Sequence, residues 1–182
     1  MSVYSIVSRV VLGGVVSASL PSGVGAQTAA PRFGAQAKAL VADARTEAKK
    51  WRADAYLIQV TARGVTDGVA MWYYAFFSPG ASGAKCLRVN FGKVKRAFTQ
   101  QLKCDKAEPE MKDFAVDSDK AIAIARAEGL KRPELTMVLM SVPTSSGQRS
   151  VWTIMEGNGM KEGDLTIDID SQTGEVRGKR KL

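Results

Sequence analysis

Residues 116–130 read VDSDKAIAIARAEGL, and three shorter runs follow: LTMVLMSV (135–142), VWTIM (151–155) and LTIDIDSQTGEV (165–176). In the first run apolar residues recur at helical spacing. Asp117 or Ser118 can cap the helix, and Gly129 suits its exit. The later runs are short, rich in β-branched and aromatic residues, and separated by turn residues. This stretch therefore predicts one helix followed by about four strands.

The preceding half has the same order of elements. Apolar residues at steps of three and four predict a helix that begins near Gly34 and packs one face on a core. They are Phe33, Ala37, Leu40, Val41, Ala44, Ala48 and Trp51. Strand-like runs follow at 56–63, 69–77, 86–91 and 94–102. This half therefore also predicts one helix and four strands.

Two details of the first half concern its hairpins. VAMWYYAFF at 69–77 is bulky and aromatic, which predicts a strand buried on both faces, and Asp67-Gly68 before it is typical of a hairpin turn. Gly92 allows a tight turn, and simple pairing about it places Cys86 opposite a residue near Ala97 rather than opposite Cys104.

The predicted fold class is therefore α+β, with two tandem units, each one helix packed on an about four-stranded antiparallel sheet. Trp72 and Trp152 occupy corresponding second strands about 80 residues apart. A polar stretch with Pro109 divides the halves, so the expected units are 34–104 and 114–182, joined by a linker at 105–113.

The first 26 residues have the order of a secretory signal peptide. Arg9 precedes an apolar or small run at 10–20, and Val24-Gly25-Ala26 offers a cleavage site after Ala26, followed by a linker at 27–33. The apolar run is too short for a bilayer, which requires roughly 20 residues. We expect a periplasmic or secreted protein with no transmembrane segment in the mature chain.

The chain is basic, with a formal net charge of +8. A basic balance favours acidic partners, including anionic polymers of the envelope, although it also serves solubility. The cations are spread along both halves without interleaved aromatic residues, so nucleic acid is not an expected partner.

No pattern in the chain points to catalysis. There is no His, which removes the commonest general base and metal ligand at neutral pH. Motifs for an activated serine, a phosphate-binding loop or a dinucleotide are lacking in the sequence. We therefore expect no enzymatic activity and no cofactor.

The two cysteines, Cys86 and Cys104, have two interpretations. An even number of cysteines in an exported protein favours a disulfide, and the alternative is two buried thiols. The bridge would tie the chain beyond the fourth strand back to the third.

The second half resembles a PepSY domain over residues 114–180. DSDKAIAIARAEG matches the Ala-rich helix, VWTI the strand that bears Trp, and LTIDIDSQTGEV the last hairpin. Asp170, Thr173, Gly174, Glu175 and Val176 fill the hairpin positions of the family. The resemblance implies a PepSY/cystatin-like fold and an exported, non-catalytic module that binds and restrains a protein such as a peptidase, here in trans. The first half is similar to a divergent second copy.

Candidate site residues each have a structural alternative. Asp170 can accept backbone N–H groups in a turn, Gly174 can take positive φ and Thr173 can bond locally. Alternatively, Asp164, Asp168, Asp170 and Glu175 could gather a hard cation. Three aromatic residues are candidate interface anchors or core residues: Tyr73, Tyr74 and Trp152.

Two further functions stay open at this point. One is a carrier that holds a small molecule between helix and sheet. The other is an envelope protein that binds anionic polymers through its basic surface.

Overall fold

The computed structural model describes residues 36–66, 69–92, 97–104, 108–145, 147–157 and 161–181. A 3-10 turn, Lys38–Leu40, runs into helix α1, and the elements of the chain follow in this order: α1 (Val41–Trp51), β1 (Tyr56–Thr66), β2 (Val69–Phe77), β3 (Cys86–Phe91), β4 (Ala97–Leu102), α2 (Ser118–Ala127), β5 (Leu135–Thr144), β6 (Gly147–Glu156), β7 (Leu165–Asp170) and β8 (Val176–Lys181). The predicted signal peptide, its linker and the Asp67-Gly68 turn lie outside the described residues.

All eight strands form one antiparallel sheet in the order β4-β3-β2-β1-β5-β6-β7-β8. The prediction of two tandem helix-on-sheet units is therefore wrong. The first strands of the two halves, β1 and β5, pair with each other, as where Thr61 lies opposite Val138. If the halves formed separate sheets, β1 and β5 would each be an edge strand with unpaired backbone N–H and C=O groups. Pairing β1 with β5 satisfies these groups. The spacing of apolar residues within a strand does not indicate which other strand it pairs with, and β5 lies far from β1 in the sequence.

One continuous core fills the space between the helices and one face of the sheet. Trp72 from the first half and Trp152 from the second meet edge to face, with ring centroids 6.5 Å apart. The indole N–H of Trp152 donates to the carbonyl of Val116 at 2.9 Å, and Phe114 packs edge-on against the same ring. The largest buried side chains of the two halves therefore pack against each other in one core. Neither described helix is long and apolar enough to cross a bilayer.

The N-termini of the two helices are held together by the side chains of Asp117 and Ser118. Asp117 Oδ1 accepts the N–H of Ser118 at 2.7 Å, which caps α2, and also the N–H of Lys38 at 3.1 Å in the first turn before α1. Ser118 Oγ accepts the N–H of Ala37 at 2.9 Å. The predicted cap at Asp117 is confirmed, and so is the exit at Gly129, whose φ is 110°.

The register of the β3–β4 hairpin differs from the predicted one. Cys86 lies opposite Leu102, and Phe91 lies opposite Ala97. The predicted pairing of Cys86 with a residue near Ala97 is therefore wrong, while the turn predicted at Gly92 runs into residues that lie outside the described part of the chain.

We expect the shared aromatic core to dominate stability. Trp152→Ala should lower the free energy of unfolding by roughly 3–5 kcal/mol, because it opens a cavity against Trp72 and leaves the Val116 carbonyl without its donor. Phe98→Ala, at an exposed site, is the matched control and should change it by no more than about 0.5 kcal/mol. Urea unfolding followed by circular dichroism measures both, and equal losses would contradict this account of the core.

Candidate binding surface

The sheet has a second face that neither described helix covers. Side chains alternate along each strand, so Trp72, Tyr74 and Phe76 enter the core while Met71 and Tyr73 point the other way. The prediction that this strand is buried on both faces is therefore wrong. We call this second surface the open face, and its central row follows the strand register: Phe98, Asn90, Tyr73, Thr61, Val138, Thr153 and Asp168.

The open face carries the large apolar side chains that are exposed within the described part of the chain. Exposed fractions are 43% for Met71, 57% for Phe98 and 38% for Met140. Between them the guanidinium of Arg88 lies over the Tyr73 ring, 5.3 Å from its centroid. Methionine, aromatic residues and arginine are the types enriched in protein interfaces. The open face therefore presents residue types that suit contact with another protein.

A disulfide closes one corner of the open face. Cys86 on β3 is bonded to Cys104, which follows β4, with their Cα atoms 5.8 Å apart. The bridge lies beside a small apolar cluster that includes Ile58, Phe77 and Leu102. This corner is packed by its own residues, so the exposed part of the open face lies toward Phe98, Met71 and Met140.

The hairpin that carries the family resemblance is a turn held by its own side chains. Asp170 Oδ1 accepts the N–H of Gln172 at 2.9 Å and of Thr173 at 3.0 Å, and Thr173 Oγ1 accepts the N–H of Glu175 at 3.2 Å. Gly174 has a φ of 79°, and a Cβ there would lie 3.2 Å from Ile124 Cδ1. The predicted roles of Asp170, Thr173 and Gly174 are confirmed, and β8 begins at Val176.

Asp170 is only 3% exposed and stays ionised through its partners. Burial raises its pKa, but the backbone donors and two arginines outweigh burial and hold the pKa below its ordinary value. Arg177 Nη2 lies 3.4 Å and Arg149 Nε 3.3 Å from Asp170 Oδ2. The carboxylate therefore ties β6, the turn and β8 together.

The four carboxylates considered for a cation do not form one site. Each is paired with an arginine: Asp164 with Arg132 at 2.9 Å, Asp168 with Arg180 at 2.6 Å, Asp170 with Arg149 at 3.3 Å, and Glu175 with Arg177 at 2.8 Å. Arg177 also lies 3.4 Å from Asp170, so these two carboxylates share it. The arginines neutralise all four carboxylates, which indicates a structural role for these groups.

Two pockets lie at the ends of the second half. One of about 390 Å³ is bordered by polar side chains next to the hairpin, among them Lys112, Gln148, Arg149 and Arg177. The other, of about 340 Å³, lies between Arg132, Glu134 and Lys161. Both lie away from the helix–sheet interface, which the core side chains fill and where a carrier would hold its ligand.

The predicted interface aromatics separate into two groups. Tyr74 and Trp152 have no exposed surface, so they are core residues, and only Tyr73 reaches the open face. The sequence did not single out Met71, Phe98 and Met140, the large apolar residues that are exposed on the open face. A strict alternation in 69–77 would have identified Met71, but only strand pairing brings Phe98 and Met140 to the same face of the sheet as Tyr73.

Comparison with known proteins identifies the fold alone. No family model matches the chain, and no curated protein matches it. The crystal structure of a "putative lipoprotein" from Clostridium difficile 630 is similar, with a TM-score of 0.54 at 14% sequence identity. The match covers 78% of this chain and 92% of that protein. At this identity the similarity concerns architecture.

We expect the disulfide to stabilise the fold. Reduction, or the double substitution Cys86→Ala with Cys104→Ala, should lower the free energy of unfolding by about 3 kcal/mol, because the bridge closes a loop with a sequence separation of 18. Urea unfolding with and without a phosphine reductant measures the loss. The reductant should leave the double variant unchanged, and an effect on that variant would show that the reductant acts elsewhere.

We expect Asp170→Asn to destabilise the protein by about 1–3 kcal/mol at neutral pH, because the arginines lose a buried charged partner. A lowered folded-state pKa contributes stability above the unfolded-state pKa and loses it as pH falls through the folded value. The difference from the unsubstituted protein should therefore shrink below about pH 4. Asp113→Asn, at an exposed site, is the control for unfolding curves across pH, and a constant difference for Asp170→Asn would contradict this origin.

Proposed function

We propose that this protein is an exported, non-catalytic binding module that holds a partner protein against the open face of its sheet. The observation that carries the proposal is the exposure of Met71, Phe98 and Met140 on this face, while the opposite face is packed by helices. Fully burying a side chain of this size contributes roughly 1.5–3 kcal/mol, and because each of the three is about half exposed, a partner that covers one gains about half of that.

Export is supported by three independent features. The first 26 residues have the order of a signal peptide, and the bridge between Cys86 and Cys104 suits an oxidising compartment. The structurally similar protein is named a "putative lipoprotein", and lipoproteins are held at the cell envelope. We propose a periplasmic or secreted location for this chain.

The partner that we propose is a peptidase. This class comes from the resemblance of residues 114–180 to a PepSY domain, whose relatives in metallopeptidase propeptides restrain the enzyme. The restraint would act in trans through the open face. A non-catalytic role fits a chain without histidine, in which Asp164, Asp168 and Asp170 are engaged by arginines.

The two other functions predict different behaviour. A polymer-binding protein would use exposed cations, and its binding would weaken steeply as salt rises, because exposed charges are screened over roughly 8 Å at physiological ionic strength. A carrier would retain a small ligand visible in native mass spectrometry. Apolar contact on the open face is far less sensitive to salt.

We expect affinity capture from the periplasmic extract of its source to retain one protein at both low and high salt. Met71→Ser combined with Met140→Ser should reduce that retention about tenfold or more, because it removes two exposed thioether side chains from the contact. Ala42→Ser, exposed on α1, is the control and should bind normally. Mass spectrometry identifies the retained protein, and addition of this chain should inhibit it if it is a peptidase. Retention only at low salt, or equal binding by all variants, would contradict the proposal.

A further inference from the structure

The two edges of the sheet are built differently. β8 reads VRGKRK, with four cations in six residues, and β4 reads AFTQQL, with none. Charged residues, lysine above all, protect an edge strand against pairing with another chain. β4 has neither a charge nor a proline, and its four central side chains are not buried in the core. The edge at β4 is therefore open to strand addition, whereas β8 is protected.

The register shows which backbone groups β4 presents outward. Just beyond the ends of β2 and β3, the N–H of Ser78 donates to the carbonyl of Lys85 at 2.9 Å, so this opposed pair is of the hydrogen-bonded kind. Bonded and non-bonded pairs alternate along antiparallel strands, which turns the backbone groups of Cys86, Arg88 and Asn90 toward β4.

The partners of these residues on β4 are Leu102, Gln100 and Phe98, whose backbone groups therefore face inward. Ala97, Thr99 and Gln101 consequently direct their N–H and C=O groups away from the sheet. Within the described ranges no strand pairs with this outer side.

We propose that β4 accepts an added strand from an extended segment of a partner protein, one with acidic residues at both ends of the paired stretch. The charges at the two ends of β4 decide which kind of strand it would accept. Arg96 is joined directly to the first residue of β4 and Lys103 to its last, so the chain itself puts a cation at each end of this strand. If a second copy of this chain paired antiparallel with β4, its cations would lie opposite these cations and repel them. A partner strand with acidic residues at its ends would attract them instead.

The added strand would continue the open face, because Phe98 on β4 lies in its central row. The inference rests on the proposed function in one respect, that the partner is a protein. The two surfaces are separable, since strand addition uses the backbone of Thr99 and the open face uses the side chains of Met71 and Met140.

The test uses a synthetic ten-residue peptide of alternating Thr and Val with two acidic residues at each end. We expect the amide protons of Thr99 and Gln101 to exchange rapidly in the free protein and slowly with the peptide, while those of Phe98 and Gln100 are protected in both states. Nuclear magnetic resonance reads each amide. A peptide with lysine ends should bind at least about tenfold more weakly.

Thr99→Pro removes one outward donor without breaking the inner ladder and should weaken peptide binding about tenfold. Thr99→Ala keeps the N–H and is the matched control, which should bind like the unsubstituted protein. Circular dichroism checks that both variants fold. The Met71→Ser and Met140→Ser variant should bind the peptide normally, so loss of strand addition and loss of the open-face contact are told apart.

Three results would overturn the proposal. Slow exchange of Thr99 and Gln101 in the free monomer would show that the chain covers its own edge. A concentration-dependent dimer in sedimentation, with the same amides protected, would make a second copy the occupant. Equal binding of acidic and basic peptides, or of Thr99→Pro and Thr99→Ala, would show that β4 does not pair with the peptide.

Discussion

The pairing of β1 with β5 is the constraint on which the rest of the molecule depends. It sets Val60 opposite Leu139 and Ala62 opposite Met137, so the apolar side chains of both halves enter the same face. A slip by one residue would send one half's apolar set to the other side of the sheet. In the observed register both helices cover one core, and Trp72 reaches Trp152.

The same pairing creates the surfaces available for binding. With β1 and β5 at the centre, β4 and β8 become the edges, and the uncovered sides of all eight strands form one open face. Exposed methionine and phenylalanine side chains in this position provide adaptable apolar contacts. The basic β8 protects one edge, so in the function that we propose a partner would approach from the side of the molecule that carries β4.

The acidic residues near the loops stabilise the loops themselves. Burial raises the pKa of Glu156, but the N–H groups of Arg132, Lys131 and Leu165 outweigh burial and hold the pKa below its ordinary value. Asp170 does the same for the last hairpin. In a sequence such carboxylates resemble a cation site, because spacing does not reveal which backbone amides or arginines will neutralise them.

The sequence by itself determined most of the elements: both helices, the cap at Asp117, the exit at Gly129 and the turn at Asp170, because each depends on residues close together in the chain. Only the tertiary structure decided that the halves share one sheet, that Cys86 lies opposite Leu102 and that Tyr74 is buried while Met71 is exposed. A bulge after Leu57 likewise turns Ile58 away from the main core. These features depend on which strands pair and in which register, and that choice is made by contacts between distant residues that no local pattern encodes.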